Sequence, residues 1–333
     1  TGFLTITMLA GGKGAAATAI KVSGKVIDPS KVTKEDVIGA VDPSTGAETG
    51  AQVIRQVYPR LGIVPGLILA PGWSQIPEVG LALAAKAAKI NGVYSAMALL
   101  DLDTAKAKKY TDTKSVKEES GYTSPFCYPL WPCDRVGEYI LAKSAVAGAM
   151  IQYMASDNED VPNQSPSNHL LGVGGQCLED GTEVYLDQDQ ANTVNGYGVT
   201  TAINQNGYRL WGNYTGAYPA SSDAKDIWFA VRRMFSWQGN NFIQTYFDEV
   251  DDPMNNVLVQ SVVDSENIRC SAYAPKYWAG ASIEYKSDDN PKTAILAGTM
   301  KFRQHIAPYT PAQEIVDIID YDTDTLAAAV GGN

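Results

Sequence analysis

The sequence predicts an α/β domain followed by a C-terminal α+β domain. Short apolar segments alternate with helical stretches between residues 64 and 102, the pattern of a parallel sheet covered on both faces. A long small-residue pattern over 138–154 reads as a helix buried against that sheet. Beyond Gly207 two amphipathic helices precede strand-forming text, which places a domain boundary near 200–206.

In chain order, residues 1–32 alternate small and β-branched residues (Leu4, Ile6, Ala19, Ile20, Val22, Val26, Ile27) around the turn Gly11-Gly12-Lys13-Gly14, which suggests a hairpin. It reads as the tail end of something larger. After a short Val/Ile segment from Val37 and the turn Pro43-Ser44-Thr45-Gly46, a helix is expected over 50–60 and a buried strand over Gly66–Ala70. A helix over Glu78–Lys89 and a second buried strand over Val93–Leu102 follow. The segment Glu138–Met154, with Tyr139, Leu141, Val146, Met150 and Met154, is the buried helix, and polar, Gly-rich text continues to about 200. The next helix spans about Asp226–Asp248, and another is expected to start at Pro253, where proline suits a first turn. Strands over Ala281–Tyr285, Lys292–Ile306 and Glu314–Tyr321 close the chain.

The 333 residues carry 26 Lys+Arg against 37 Asp+Glu, a net charge of −11, which argues against nucleic-acid binding because phosphate neutralisation needs a clustered cationic surface. The densest basic group (Lys106, Lys108, Lys109, Lys114, Lys117) runs directly into Glu118 and Glu119 and reads as a solvated loop. With 45% hydrophobic residues the chain is long enough for two cores, and no apolar run approaches the roughly 18 residues of a membrane span. The first residue is Thr1 with no signal segment ahead of it, which suggests a fragment or processed chain. Cys127, Cys133, Cys177 and Cys270 are too scattered for a disulfide scaffold or a metal site and point to a reducing compartment.

Catalytic readings are thin. Lys13 is followed by Gly14, so the glycine stretch is a turn and not a phosphate loop. There are two histidines, His169 and His305, and no Gly-x-Ser-x-Gly elbow, so a hydrolase built on His169 with a nearby Ser or Asp is a weak reading. Cys127 and Cys133 lack a neighbouring base and read as packed thiols. Asp187 and Asp189 lack the rest of a calcium loop and read as a solvated turn. The sequons at Asn163 and Asn213 matter only in a glycosylating pathway. No catalytic residue, metal or cofactor is expected.

One stretch stands apart. From Pro311 to Leu326 there are five carboxylates (Glu314, Asp317, Asp320, Asp322, Asp324) and no Lys or Arg, interleaved with Ile315, Val316, Ile318, Ile319 and Tyr321. It reads either as an edge strand protected by charge or as a strand offered to a partner carrying basic residues. An acidic receptor-binding module is a further reading of this composition.

Several stretches resemble the tail sheath proteins of contractile phages and of related contractile injection systems: Glu35-Asp36-Val37-Ile38-Gly39-Ala40-Val41-Asp42 with Thr45-Gly46; Val64-Pro65-Gly66-Leu67-Ile68-Leu69-Ala70-Pro71-Gly72-Trp73; Gly198-Val199-Thr200-Thr201 running on to Gly207-Tyr208-Arg209-Leu210-Trp211-Gly212-Asn213; and Ala297-Gly298-Thr299-Met300 through Ile306-Ala307-Pro308. Ser165-Pro166-Ser167-Asn168 with Leu171-Gly172-Val173 is similar to the family's loop before a central strand. The resemblance covers most of residues 35–326. It implies an α/β domain of subtilisin-like topology at 35–205 and an α+β domain at 206–326 that faces a tail tube. Residues 1–34 are then the remnant of an inserted β-rich outer domain, 327–333 a tail, and the family's N-terminal arm is missing. The implied role is a helically polymerising, contracting structural subunit with no enzymatic activity. Its implied partners are other copies of itself, the tail tube protein, and the baseplate and tail terminator proteins, with no nucleic acid and no membrane insertion, in a virion tail assembled in the host cytoplasm. Residues Glu314, Ile315, Val316, Asp317, Ile318, Ile319, Asp320, Tyr321 and Asp322 are the candidate inter-subunit strand.

Overall fold

The structure is a computed structural model that describes residues 10–12 and 28–331. The hairpin expected over 1–32 lies largely outside the described residues. Contacts divide the chain at Thr33/Lys34. In the first unit, the Asp28 side chain accepts from Ser30 N and caps a short 3-10 turn over Pro29–Lys31.

The second unit begins with α1 (Lys34–Ile38), a 3-10 stretch over Gly50–Gln56 and α2 (Val57–Leu61). Strand β1 (Leu67–Leu69), helix α3 (Pro77–Ala88), strand β2 (Met97–Asp101), helix α4 (Thr113–Ser120) and strand β3 (Cys127–Leu130) follow. The three strands form a parallel sheet in the order β1-β2-β3. Strand alternation then sorts β2 onto two cores. Ala98 and Leu100 pack with Val79, Leu83 and Ala87 of α3. Met97 and Leu99 pack with Ala147, Met150 and Ile151 of α5 (Lys143–Ser156). The expected two-faced sheet is therefore present.

Gly80 sits in α3 where a Cβ would collide with the hydroxyl of the fully buried Tyr122. That hydroxyl donates to the Ser74 carbonyl and has no free side to retreat to. Gly80→Ala is expected to destabilise the chain by about 1–3 kcal/mol, read as a lower denaturant midpoint with an unchanged slope.

Strands β4 (Cys133–Val136), β5 (Tyr139–Leu141) and β6 (Gly175–Cys177) form a small antiparallel sheet in the order β5-β4-β6. The helix expected from Glu138 thus begins only at Lys143. Tyr139 and Leu141 belong to a strand, because Gly137 takes a left-handed φ of 59° and reverses the chain from β4 into β5. Helix α6 (Gln188–Gly196) occupies the supposed polar stretch, and Asp187 is its N-cap in a capping box with Gln190 rather than a solvated turn. The division proposed at 205/206 falls in the turn between β7 (Thr201–Asn204) and β8 (Tyr208–Trp211), an antiparallel pair. Leu130 of β3 makes a parallel bridge to Thr200, so β7 continues the line of the main sheet.

Helices α7 (Ala224–Ile227), α8 (Phe229–Thr245) and α9 (Asn256–Tyr273) lead to an antiparallel pair, β9 (Trp278–Glu284) and β10 (Arg303–Pro308), with α10 (Lys292–Leu296) between them. Pro253 lies ahead of α9, whose start is set by Asn255 accepting from Leu258 N at 2.9 Å. The strand expected over Lys292–Ile306 is a helix followed by a strand, since Gly298 at φ 73° ends the helical turn. Trp278, Met234, Cys270, Tyr277 and Val161 form a third core. Beside it, Arg269 Nε and Nη2 hold both oxygens of the fully buried Glu266 at 2.9 and 2.5 Å, and Gln238 adds a bond at 2.6 Å. Past β10 no regular element forms until α11 (Thr323–Ala329).

Candidate assembly interface

Residues 309–322 leave the body as irregular chain. Tyr309 is tied down by a 3.0 Å bond from its hydroxyl to the Pro275 carbonyl. Gln313 lies beside Tyr214, whose ring stacks on Tyr218 at 3.8 Å. Pro311 to Ile315 form one wall of a cleft of about 780 Å³, opposite Trp211, Asn213 and Tyr214.

Beyond that root the segment is bare. Ile315, Ile318, Ile319 and Tyr321 are 88, 80, 87 and 77% exposed, and Glu314, Asp317, Asp320 and Asp322 are also exposed. The strand expected over Glu314–Tyr321 does not form within the chain. A strand's backbone groups need a ladder partner, and carboxylates spaced at 314, 317 and 320 resist collapse onto an acidic body. Asp322 is engaged locally, as the cap of α11, accepting from Asp324 N and Thr325 N at 3.1 and 2.9 Å. The structure thus presents these nine residues as one contiguous, solvent-facing segment of alternating apolar and acidic character.

His169 lies on an exposed loop, where its carbonyl accepts from Leu210 N. Asn213 accepts from the Ser165 hydroxyl, and Asn163 from the Asn158 amide. The four cysteines are free thiols. Burial raises the Cys127 thiol from its ordinary 9.0 to about 11 and the Cys133 thiol to about 12, so neither is poised as a nucleophile. A thiol raised in the fold stabilises it below the unfolded pKa, and that contribution is lost as pH rises from about 9 toward 11. Between pH 8.5 and 10.5, Cys127→Ala is expected to lose about 2 kcal/mol less stability than the parent chain, measured by urea unfolding at each pH.

The lysine group is only partly the solvated loop expected of it. Lys106, Lys108, Lys109 and Lys114 are exposed, but Lys117 lies on the inner face of α4 and is 4% exposed. Its Nζ donates to the carbonyls of Tyr197 and Tyr218 at 2.9 and 2.5 Å, and burial lowers its pKa to about 8.

Two buried polar clusters had no signal in the sequence. Asp101, at the end of β2, accepts from Ser144 N and Oγ at 2.8 and 2.5 Å and from Ser74 Oγ at 3.0 Å, so it caps the N-terminus of α5 from another element. Next to it Lys143 and Asp134 form an ion pair in which both side chains are fully buried. Burial raises the carboxyls of Asp101 and Asp134 alike. These groups are sealed from solvent, so they fix the helix to the sheet and offer no surface to a substrate.

The chain is 26% identical over 334 residues to the tail sheath protein of Burkholderia phage BcepMu, covering 95% of this chain and 68% of that one. It is 24% identical over 294 residues to the tail sheath protein of Escherichia phage P2, covering 85% and 69%. The chain is similar to phage tail sheath proteins. The match to the major tail sheath protein of Serratia phage KSP20, 27% identical, spans 56% of this chain and 48% of that one. No family model matches the chain. Among solved structures, the sheath complex of an extracellular contractile injection system, PVC, in its contracted state has a TM-score of 0.65 at 18% identity, covering 83% of this chain and 76% of that one. The contracted helical sheath of the anti-feeding prophage gives 0.63 at 18%, covering 86% and 76%. The α/β fold is thus that of sheath subunits.

Proposed function

We propose that the chain is a structural subunit of a contractile tail sheath, which polymerises helically around a tail tube and shortens to drive that tube through a cell envelope. The observation that carries this reading is the segment 314–322, which leaves five large apolar side chains in water while folding into nothing of its own. A helical polymer needs contacts between different surfaces of identical chains. A strand lent to the sheet edge of a neighbour meets that need, and its ladder persists while the bodies rotate. Contraction then requires two packings of one sequence, with the extended one kinetically trapped above the contracted one. The chain's part in this is mechanical and turns over no substrate.

The finer assignments belong to the same reading. The α/β part, residues 35–205, takes the subtilisin-like topology of the family, and residues 206–326 face the tube. Residues 1–34 derive from an outer domain and 327–333 form a tail. Tube, baseplate and tail terminator proteins are the other partners, and assembly takes place in the host cytoplasm. Negative-stain microscopy of the purified chain tests the reading: long hollow cylinders support it, and a monomer at every concentration and salt condition tried counts against it.

A further inference from the structure

β1 is the outer strand of the parallel sheet and, among the described residues, pairs on one side only. The Gly66 carbonyl accepts from Met97 N, so strand alternation turns the backbone groups of Leu67 and Leu69 away from β2. An edge left open in this way accepts extended backbone. Its surroundings are apolar and wet: Leu61, Ile63 and Leu69 are 67, 60 and 36% exposed.

A cleft flanks the edge on each face of the sheet. The one toward α3, about 330 Å³, is lined by Val37, Ala51, Ile54, Ile68 and Leu83, with Lys86 already bonded to Gln52. The one toward α5 and α8, about 680 Å³, is lined by Leu67, Leu69, Met97, Gly148, Trp237 and Arg233. Arg233 lies over the Phe229 ring at 5.5 Å, and among the described residues no carboxylate is within ion-pair distance of it. Asp160 also lines this cleft, beyond that distance. The neighbouring Arg232, by contrast, meets Asp226 at 3.2 Å. Burial lowers the Arg233 guanidinium to about 10, and the buried hydroxyl of Ser236 in the same wall has no hydrogen-bond partner. A desolvated cation and an orphaned hydroxyl beside an open strand edge are groups whose partners come from outside.

We infer that the edge of β1 receives an extended strand of a partner polypeptide, apolar on the face toward α3 and bearing a carboxylate toward Arg233 on the face toward α8. The segment 314–322 is a poorer fit, because alternation puts Asp317 on one of its faces and Glu314, Asp320 and Asp322 on the other, so neither of its faces is wholly apolar as the face toward α3 is. The site is therefore separate from the contact proposed for that segment, and its test stands apart from polymerisation.

The probes are two synthetic peptides of alternating valine and isoleucine with polar ends, identical except for one central glutamate or glutamine, titrated into the intact chain. The glutamate peptide is expected to bind at least about tenfold tighter than its twin, as a charge-assisted bond to a desolvated guanidinium implies. That preference is expected to vanish in Arg233→Gln, and amide exchange at Leu67 and Leu69 is expected to slow on binding. Equal affinity or no binding of the two peptides by the parent chain, unchanged exchange at Leu67 and Leu69, or equally tight binding of a 312–322 peptide each overturns the inference. None of these outcomes depends on whether the variant folds.

Discussion

Replacing Lys143 with methionine is expected to lower the unfolding free energy by about 3–5 kcal/mol, because it leaves Asp134 buried without its counter-charge. The thermal midpoint should fall by roughly 10 °C. Asp134→Leu alone should cost a similar amount by stranding the ammonium. The double variant should return most of the loss, since one Asp134 oxygen already lacks a hydrogen-bond partner and the pair is imperfectly compensated where it stands. Differential scanning calorimetry of the four chains gives the coupling directly. Additive losses in the two single variants, with no recovery in the double, would mean that the pair does not act as a unit.

The second large effect concerns assembly. Removing residues from Glu314 onward is expected to abolish cylinder formation while leaving the thermal midpoint within about 1 °C of the parent, because the removed side chains touch little of the body. A single Ile318→Pro should act in the same direction by deleting a ladder donor from the centre of the segment. Polymers formed by the truncated chain would remove the strand-lending mechanism and leave the sheath role to be explained by other contacts.

Much of the fold was legible because period is a local property. Gly66–Ala70 and Val93–Leu102 are short apolar runs flanked by helical patterns, and they became β1 and β2. Where two periods overlap, the reading failed. Tyr139 and Leu141 fit a helix in register with Val146 and Met150, and only the left-handed Gly137 separates them. Lys292–Ile306 carries strand-forming residues on both sides of Gly298 (Thr293, Ile295, Thr299, Phe302, Ile306), yet a helix occupies the part before that glycine. The segment 314–322 was recognisable because its composition is unusual, but its lack of a ladder is a property of the isolated chain that strand propensity does not encode. The polar interior was illegible for a different reason. Lys143 and Asp134 lie nine positions apart, Asp101 and Ser144 forty-three, and no motif links positions brought together only by the sheet. Lys117 looked like one of several solvated lysines until α4 turned it inward. Arg232 and Arg233 are adjacent in sequence, but helix geometry gives one a carboxylate and, among the described residues, leaves the other without.

Amide hydrogen exchange, followed residue by residue across positions 314 to 322 in free protein and again in purified cylinders, probes most directly whether copies of this chain are joined through lent backbone. Exchange close to the unstructured rate in the free protein, with alternate amides slowed by about a hundredfold or more in the cylinder, is the predicted result. Cylinders in which every one of these amides exchanges as fast as in the free protein would contradict it.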